Sequence, residues 1–438
     1  KLISDSLDFE LTDAQKRVIK EIKNNMARPY SMNRLLQGDV GSGKTIVSVL
    51  AAAIAVSNKV QVAVMAPTEI LAHQHYESFK KHVEIAHITC AILVGGTPAK
   101  ERKSILKSLA EGRINIIIGT HALIQKDVAF KTLGLAIVDE QHRFGVIQRG
   151  NIIAKGLNPH LLAMTATPIP RTLAITYHGD MDLSIIDEMP KNRIPVVTKV
   201  VEERRLEKVY QFMKDEVSAG RQCMVVYPLV EETEKSDLIA AVEMHANLSK
   251  KIFSELKVGL IHGRMKKDEK DDVMDAYAKN EIHILISTTV IEVGIDIPNA
   301  TVMLIEHAER FGLTQLHQLR GRVGRGREKS YCILVRRNFS DNSKKRLRIM
   351  ESTNDGFIIS DEDLKIRGPG EFFGIRQSGF LKYKIADMVT DGPILRKARQ
   401  AAFKLVKDDP NLNQPENQLI RERFINEYQD KLEQVNIS

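Results

Sequence analysis

Eight consecutive residues, Gly38-Asp39-Val40-Gly41-Ser42-Gly43-Lys44-Thr45, match the spacing G-x-x-x-x-G-K-[ST] of a phosphate-binding loop. Glycines in such a loop let the backbone curl so that successive N–H groups point inward. The apolar run 46–56 predicts a following helix whose positive N-terminal end faces the same space. Lys44 would reach the β- and γ-phosphates of a nucleotide, and the Thr45 hydroxyl would bind Mg²⁺. The alternative is a glycine-rich turn that happens to precede a helix. The predicted nucleotide-binding residues of this phosphate loop are Gly38, Gly41, Ser42, Gly43, Lys44 and Thr45.

Two adjacent acids follow the apolar run Leu135–Val138, in the sequence Asp139-Glu140-Gln141-His142. A strand that ends in two acids would deliver both carboxylates beside the phosphates. We predict that Asp139 holds Mg²⁺ through water and that Glu140 orients and deprotonates the attacking water. Acids at a strand end are often only a solvated turn, but their combination with Lys44 and Thr45 favours catalysis.

A basic run, Gln318-Leu319-Arg320-Gly321-Arg322-Val323-Gly324-Arg325-Gly326-Arg327, lies far downstream. Such a run is usually a solvated face or a polyanion patch. Here glycines allow close approach of the backbone, and Arg322 and Arg325 are one helical turn apart. We predict that these two are arginine fingers, which neutralise charge on the transferred phosphoryl group when two lobes close. The segment from Ser287 to Asp296 sits at another strand end, and Asp296 is predicted to complete the cleft.

The N-terminal segment offers two further candidates. Thr12 and Gln15 have the spacing of a helix capping box, which is the simpler interpretation. The Gln15 amide can also donate and accept at once, which suits the edge of adenine, and Phe9 could stack on the ring. The phosphate loop downstream favours nucleotide binding by both residues.

These residues need a scaffold that brings them together. Short apolar runs alternate with helical segments, which predicts parallel sheets buried on both faces. Ligands in such sheets bind beyond the carboxyl ends of the strands, where each polar cluster falls. Two prolines and polar residues around 190–198 suggest a linker, and a second strand–helix series without a phosphate loop follows. We predict an α/β protein with domains at 1–190, 198–340 and 341–438.

The composition limits the classes of protein to which the chain can belong. The chain has 438 residues, a net charge of +8, 5% aromatic residues and no tryptophan. The positive charge permits a polyanionic partner, and the low aromatic content favours contacts with the backbone of that partner over base stacking. Cys90, Cys223 and Cys332 are scattered, so a reducing cytoplasm fits, and no signal peptide or long apolar span is visible. The chain begins at Lys1, and we expect further sequence upstream.

Taken together, the motifs resemble those of superfamily 2 helicases in content and order. That resemblance implies two RecA-like lobes that sandwich ATP with Mg²⁺ and move along nucleic acid. By matching position it assigns backbone contacts to Thr68 and Thr120 in the first lobe and to His262 and Thr288 in the second. Thr165 and Thr167, which follow another strand, are weaker candidates for DNA binding or coupling. The matching segments are Phe9…Gln15, Gly38–Thr45, Ala66–Glu69, Asp139–His142, Thr165–Thr167, Ser287–Asp296 and Gln318–Arg325.

The last quarter of the chain resembles one particular family within this superfamily. The stretch from Asn354 to Gly379 is similar to the element that follows the motor in the RecG family. The pattern predicts one basic helix over 344–350 and a second that starts at Ser360 with a capping box and ends at Gly368. In that family the hairpin couples ATP hydrolysis to movement on duplex DNA; the alternative is a helical cap that only packs. The coupling candidates are Arg346, Arg348, Arg367, Arg376 and Gln377.

The resemblance implies an ATP-dependent translocase on double-stranded DNA that remodels stalled forks and migrates Holliday junctions. Its expected partners are branched duplex DNA and single-strand-binding protein, and it is expected to be a monomer in the cytoplasm, associated with the nucleoid. The strand-splitting wedge domain of that family does not lie in this sequence. The alternatives are a transcription–repair coupling translocase, an RNA helicase, and a nucleotide-gated DNA-binding scaffold without turnover.

Overall fold

The computed structural model describes residues 2–167, 181–190, 193–228, 243–288, 297–338, 340–372 and 391–435. Over these residues the chain forms two parallel sheets, one after the other in sequence. The first has seven strands in the order β3-β4-β2-β5-β6-β1-β7, and the second has six in the order β10-β11-β9-β12-β13-β8. The predicted α/β fold with two parallel-sheet lobes and helices after them is confirmed. The exact domain boundaries stay a prediction.

The first lobe contains the phosphate loop between its first strand and the helix that follows. Its strands are β1 Asn33–Gly38, β2 Gln61–Met65, β3 Cys90–Leu93, β4 Ile116–Gly119, β5 Leu133–Val138, β6 His160–Thr165 and β7 Asp182–Ile186. Its helices are α1 Leu2–Asp5, α2 Asp13–Met26, α3 Lys44–Ser57, α4 Glu69–Val83, α5 Ala99–Ala110 and α6 Val146–Ile153. Short 3₁₀ turns lie at Glu84–Ala86, His121–Ile124 and Gln141–Arg143.

The second lobe repeats this arrangement without a phosphate loop. Its strands are β8 Val197–Glu202, β9 Gln222–Val226, β10 Val258–Ile261, β11 Ile284–Ser287, β12 Ala300–Ile305 and β13 Tyr331–Arg336. Its helices are α7 Leu206–Ser218, α8 Lys267–Ala278 and α9 Leu313–Arg320. Short helical turns lie at Glu203–Arg205, Leu248–Ile252 and Ala308–Arg310.

The central strands of both sheets are buried on both faces because most of their residues are apolar. Along β4, Ile116 and Ile118 join one core cluster and Ile117 joins the cluster on the opposite face. Along β9, Cys223 and Met224 divide between two clusters in the same way. This alternation follows from the two-residue period of a strand, and it explains why helices cover each sheet on both sides.

Four helices end the described chain, namely α10 Asp341–Ser352, α11 Gly356–Phe372, α12 Gly392–Asp408 and α13 Gln418–Val435, with a 3₁₀ turn at Pro415–Asn417. Helices α10 and α11 form a hairpin that shares the core of the second lobe, since Leu347, Met350 and Ile359 join the cluster that contains Leu316. The hairpin is therefore packed as part of that lobe.

The second hairpin helix does not start where the sequence predicts. Ser360 is buried inside α11, and Asp355 caps the helix instead, because its carboxylate accepts the N–H groups of Phe357 at 2.8 Å and Ile358 at 3.3 Å. The helix also continues past Gly368 to Phe372. A capping box is a local signal, and here the earlier cap prevails because Ile359 is packed in the core.

Among the described residues, no helix is both long enough and apolar enough to cross a membrane.

Candidate functional site

The phosphate loop has the backbone that its glycines predict. Gly41 and Gly43 have φ of +79° and +86°, in the left-handed region that favours glycine. Gly43 is the N-cap of α3 and supplies no side-chain cap, so the first N–H groups of that helix face the loop unprotected by a side chain. The Lys44 ammonium donates to the carbonyl oxygens of Gly38 at 2.8 Å and Asp39 at 2.9 Å. A phosphate would supply the missing cap, so the residues fit a nucleotide.

Gln15 joins the first helix to this loop. Its amide nitrogen donates to the carbonyl oxygen of Ser42 at 2.8 Å, and its amide oxygen accepts the N–H of Thr12 at 2.9 Å within a complete capping box. The simpler interpretation of Thr12 and Gln15 is thus present in the structure. Phe9 is 41% exposed, which leaves its ring accessible for stacking. Gln15 supports the loop directly, and its contact with adenine stays a prediction.

The two acids lie at the carboxyl end of β5, next to the phosphate loop. Their side chains are each 13% exposed. Nε2 of His75, on α4, is 2.7 Å from Oδ2 of Asp139, and Oδ1 accepts the N–H of Glu140 at 2.9 Å. Oε2 of Glu140 accepts the N–H of Ala166 at 3.3 Å. Glu140 itself has φ of +46°, a strained conformation for a residue with a Cβ. Both carboxylates are therefore held in fixed positions.

The surroundings shift the pKa values of the two carboxyl groups in opposite directions. Burial raises the pKa of Glu140, and the charge of Asp139 raises it further, while Lys44 and Arg322 act in the opposite direction. Burial also disfavours the charged form of Asp139, but His75 outweighs it and, with Lys44, keeps the pKa of Asp139 below its usual range. Burial lowers the pKa of Lys44. One carboxylate stays ionised and the other has a raised proton affinity, which is the division expected of a metal ligand and a general base.

The second lobe closes over this site. Arg325 is near enough to Lys44 to affect its pKa, and Arg322 is near enough to Glu140 to affect that group. Arg322 is buried, and Nε of Arg325 donates to the carbonyl oxygen of Gly321 at 3.1 Å. The structure thus brings both predicted fingers to the residues that they are predicted to assist.

A second contact between the lobes involves the weaker threonine candidates. Thr165 Oγ1 accepts the N–H of Thr167 at 3.1 Å, and Thr167 Oγ1 accepts Nε2 of Gln318 at 2.8 Å. Because the N–H of Ala166 binds Glu140, the same short segment touches the predicted general base and helix α9, which leads to Arg322 and Arg325. This position suits coupling between the lobes rather than a contact with DNA.

The predicted DNA-contact residues sit at strand ends in both lobes. Thr68 caps α4, where its hydroxyl accepts the N–H of Leu71 at 3.3 Å. Thr120 Oγ1, Thr288 Oγ1 and His262 Nδ1 are buried and make no hydrogen bond within the part of the chain that the structure describes. Buried polar atoms are rarely left without a partner, so hydrogen-bonding capacity is available at these positions for a ligand such as a phosphate backbone.

Of the coupling candidates, the structure places Arg346 most clearly. Its guanidinium donates to the carbonyl oxygens of Phe311 and Glu309, the latter at 3.5 Å, and so joins α10 to the segment that leads into α9. Arg348 is exposed on the same helix. The backbone of Arg367 lies in α11, but its side chain lies outside the described part, as do residues Asp296, Arg376 and Gln377.

Four functional candidates were missed by the sequence reasoning: Asp39, His75, His317 and Arg320. His75 touches Asp139, and the other three form a chain of hydrogen bonds from the phosphate loop to the hairpin. Their spacing carries no recognisable motif of its own. The only available signal is that Asp39 and Arg320 are charged residues inside the two strongest motifs.

The donor set also fits Mg²⁺. No group of three or more His, Cys, Asp or Glu side chains that could hold a metal occurs among the described residues. Mg²⁺ is commonly bound by one or two side chains together with substrate phosphates and water, so the pair Thr45 and Asp139 suffices.

Three family models match consecutive parts of the chain. A DEAD/DEAH box helicase domain matches residues 12–175, a helicase conserved C-terminal domain matches 204–327, and the C-terminal part of domain 3 of ATP-dependent DNA helicase RecG matches 353–438. The first two together define a superfamily 2 helicase motor built from two RecA-like lobes.

Individual relatives and a solved structure are similar to the chain over most of its length. ATP-dependent DNA helicase RecG of Synechocystis sp. is 50% identical over 409 residues, which are 93% of this chain and 49% of that protein. RecG of Bacillus subtilis is 50% identical over 420 residues, 96% of this chain and 62% of that protein. A solved structure of RecG bound to a three-way DNA junction has a TM-score of 0.76 at 47% identity, covering 90% of this chain and 51% of that one.

The chain belongs to the RecG family, as its resemblance predicted. It spans about half to three fifths of the length of the curated relatives compared above.

Proposed function

We propose that this chain is the motor of an ATP-dependent double-stranded-DNA translocase that remodels stalled replication forks and drives branch migration of Holliday junctions. One observation carries the proposal. An ionised Asp139 and a Glu140 of raised pKa lie beside a phosphate loop, and Arg322 and Arg325 face them from the other lobe. Such a site is complete only when the lobes are together, which links hydrolysis to lobe motion.

In the proposed reaction, a water molecule attacks the γ-phosphorus of ATP, its proton goes to Glu140, and the bond to the ADP oxygen breaks. Lys44 and the N-terminus of α3 bind the phosphates, while Arg322 and Arg325 stabilise the charge that spreads over the transferred group. Mg²⁺, held by Thr45 and Asp139, would supply further neutralisation of the phosphates when bound. Phe9, Gln15 and Asp296 are assigned to the nucleotide on sequence grounds.

Branched duplex DNA is the proposed substrate because a relative 47% identical to this chain has been solved on a three-way DNA junction. Thr68, Thr120, His262 and Thr288 are proposed to contact its backbone. Arg346 is proposed to transmit lobe motion to the hairpin, and Arg367, Arg376 and Gln377 share that role on sequence grounds. The net charge of +8 favours a polyanion, and binding should weaken steeply with salt as counterions are released. A monomeric state, single-strand-binding protein as partner and a location on the nucleoid in the cytoplasm stay predictions from the resemblance.

The decisive experiment measures ATP hydrolysis with forked DNA, linear duplex, single strands and RNA as activators. We expect forked DNA to stimulate most. Glu140→Gln should reduce the stimulated rate by about 10² to 10⁴-fold, the usual contribution of a general base, while nucleotide still binds. Lys44→Ala should weaken nucleotide binding as well. Glu111→Gln, which changes an exposed glutamate of the same lobe, is the matched control and should behave as wild type.

Each other result rejects part of the proposal. An unchanged rate in Glu140→Gln would remove the assigned catalysis. Stronger stimulation by RNA would indicate an RNA helicase, and nucleotide binding without any turnover would indicate a gated scaffold. Equal stimulation by linear and forked DNA would reject the preference for branched substrates while leaving the motor intact.

A further inference from the structure

Asp39 lies inside the phosphate loop but has no part in the predicted nucleotide contacts. Its side chain is only 9% exposed, and both carboxylate oxygens are engaged. Oδ1 is 2.5 Å from Nε2 of His317 and accepts the N–H of Val40 at 2.6 Å. Oδ2 accepts the backbone N–H of Gly356 at 3.0 Å. Apart from Val40, these partners belong to the second lobe and to the hairpin attached to it.

The direction of each hydrogen bond follows from Arg320. Its guanidinium is 2.9 Å from Nδ1 of His317 and can only donate, so Nδ1 is the acceptor. The ring proton of His317 therefore sits on Nε2 and is donated to Asp39. The other branch of Arg320 donates to the carbonyl oxygens of Met350 at 3.0 Å and Thr353 at 2.9 Å. Those oxygens belong to the end of α10 and the turn after it.

Asp39 is thus tied to one structural element, the hairpin turn (residues 353–356), by two routes. One route is direct, through the N–H of Gly356, and the other passes through His317 and Arg320. Burial works against the charged form of Asp39, but His317 and the two backbone N–H groups hold its pKa below the usual value. A buried carboxylate cannot give up its donors without a large penalty. A shift of the phosphate loop must therefore carry the hairpin turn with it.

The phosphate loop borders both a packed contact with the second lobe and a cavity. Val40 packs directly against Gly321, the residue that follows α9, where a Cβ would lie 2.8 Å from it. A cavity of about 310 Å³ lies beside these contacts and is lined by Asp39, Arg193 and Asn354 among others.

We propose that Asp39 is a positioning residue that links the phosphate loop directly to the hairpin turn, so that nucleotide binding reaches the hairpin without passing through Arg322 and Arg325. The proposal rests on the proposed function, in which the hairpin drives movement on duplex DNA. It assigns the second residue of the loop to coupling rather than to the nucleotide.

The first test follows amide hydrogen exchange at the hairpin turn with and without a slowly hydrolysed ATP analogue and Mg²⁺. Gly356 is the first residue of α11, so its N–H has no partner within the helix, and its protection reports on Asp39. In the wild type we expect protection that changes when the analogue binds. In Asp39→Asn, protection should fall about tenfold or more and cease to respond. Asp127→Asn, an exposed aspartate of the same lobe, is the matched control.

The second test measures how many ATP molecules are hydrolysed per triplex strand displaced from duplex DNA. Gly356→Pro removes the N–H in question at the first position of a helix, where proline is well tolerated. Gly356→Ala keeps the N–H and serves as its control. We expect Gly356→Pro to use several-fold more ATP per displaced strand, while Gly356→Ala matches the wild type.

Two results would overturn the link: an unchanged exchange response in Asp39→Asn, or an unchanged ATP cost in Gly356→Pro. Thermal unfolding shows whether Asp39→Asn folds, and Gly356→Pro tests the same contact from the other side if it does not. Failure of the proposed function would look different. The wild type would then show no DNA-stimulated hydrolysis, yet the exchange response to the analogue would still decide whether the link exists.

Discussion

Substituting Gly321 by alanine tests whether the two lobes must meet at the phosphate loop. A Cβ at this position would lie 2.8 Å from both Cβ and Cγ1 of Val40 and 3.1 Å from Cγ2. Carbon atoms in contact normally sit about 3.5–4.0 Å apart, so one side has to retreat by about 0.7–1.2 Å. Val40 is buried in the first lobe and Gly321 ends α9 in the second. The simplest relief is a slightly wider cleft.

A wider cleft should reduce turnover far more than nucleotide binding. Arg322 and Arg325 follow Gly321 directly and would be carried away from Lys44 and Glu140 by a similar distance. A misplacement of about 1 Å can cost about 10²-fold in rate, so we expect kcat to fall by about that factor. The phosphate loop and Gln15 belong to the first lobe, so the dissociation constant of the nucleotide should change by only a few-fold.

The assay combines steady-state hydrolysis with forked DNA and direct titration of a fluorescent nucleotide. Gly150→Ala is the matched control because a Cβ there meets no atom within 4 Å. Adding Val40→Gly to Gly321→Ala removes all three crowded atoms and should restore part of kcat. A wild-type rate in Gly321→Ala, or equal losses in turnover and nucleotide affinity, would refute the reasoning that closure at this contact positions the fingers.

Three further predictions concern residues around the acids. His75→Ala should raise the Mg²⁺ concentration needed for half-maximal hydrolysis by about 10 to 100-fold, because a metal ligand loses its orienting partner; a Mg²⁺ titration checks this, and an unchanged requirement would contradict it. Thr167→Val should remove one hydrogen bond to Gln318, worth about 1 kcal/mol, and should therefore lower the DNA-stimulated rate of hydrolysis about fivefold. Thr167→Ser keeps the hydroxyl and should restore the rate. Equal rates in the wild type, Thr167→Val and Thr167→Ser would exclude a role of this bond in closure of the lobes. Glu140→Gln should raise Tm by a few degrees at neutral pH without Mg²⁺, because the raised pKa of Glu140 means that its ionised form costs stability. The gain should shrink as pH falls through that raised pKa, and thermal scans across pH would disprove it by showing a constant or opposite difference.

The sequence alone predicted which residues would lie near one another around the phosphate loop. Lys44, Asp139 and Arg325 stand in recognisable local patterns, and each of the first two follows a strand of a parallel sheet. The rule that such strands present their carboxyl ends at one edge then brings Lys44 and Asp139 together without any knowledge of the coordinates. Arg325 required one more step, since only the chemistry of phosphoryl transfer suggested that it reaches across from another lobe.

What the sequence could not predict depends on packing between distant segments. His75 and Asp139 are 64 residues apart, and His317 and Asp39 are 278 apart, so no local spacing marks either pair. The edge strands β7 and β8 were missed for a related reason. Each borders only one neighbour and carries polar or half-exposed residues, so neither has the apolar run that identifies a central strand.

A sequence and hydrogen-bonding pattern that the two lobes share shows how their strand-end acids differ. The sequence Arg-Phe-Gly-x-x-Gln occurs at 143–148 and again at 310–315, after β5 and β12, and in both copies the glutamine accepts the N–H of the glycine at 3.1 Å. In the second lobe Glu306 takes the place of Asp139, since its N–H bonds Val226 as that of Asp139 bonds Met65.

The two acids then meet different neighbours. Glu306 is fully buried and lies 3.3 Å from Arg337, so its carboxylate is paired with a guanidinium of its own lobe. Burial raises the pKa of Glu306, whereas His75 and Lys44 keep Asp139 ionised and next to the phosphate loop. The same strand-end position thus holds an arginine-paired acid in one lobe and the proposed Mg²⁺ ligand in the other. Among the described residues, the first lobe places Lys44 and the N-terminus of α3 beside its acid, whereas the second lobe pairs its acid with Arg337 and contributes the predicted arginine fingers.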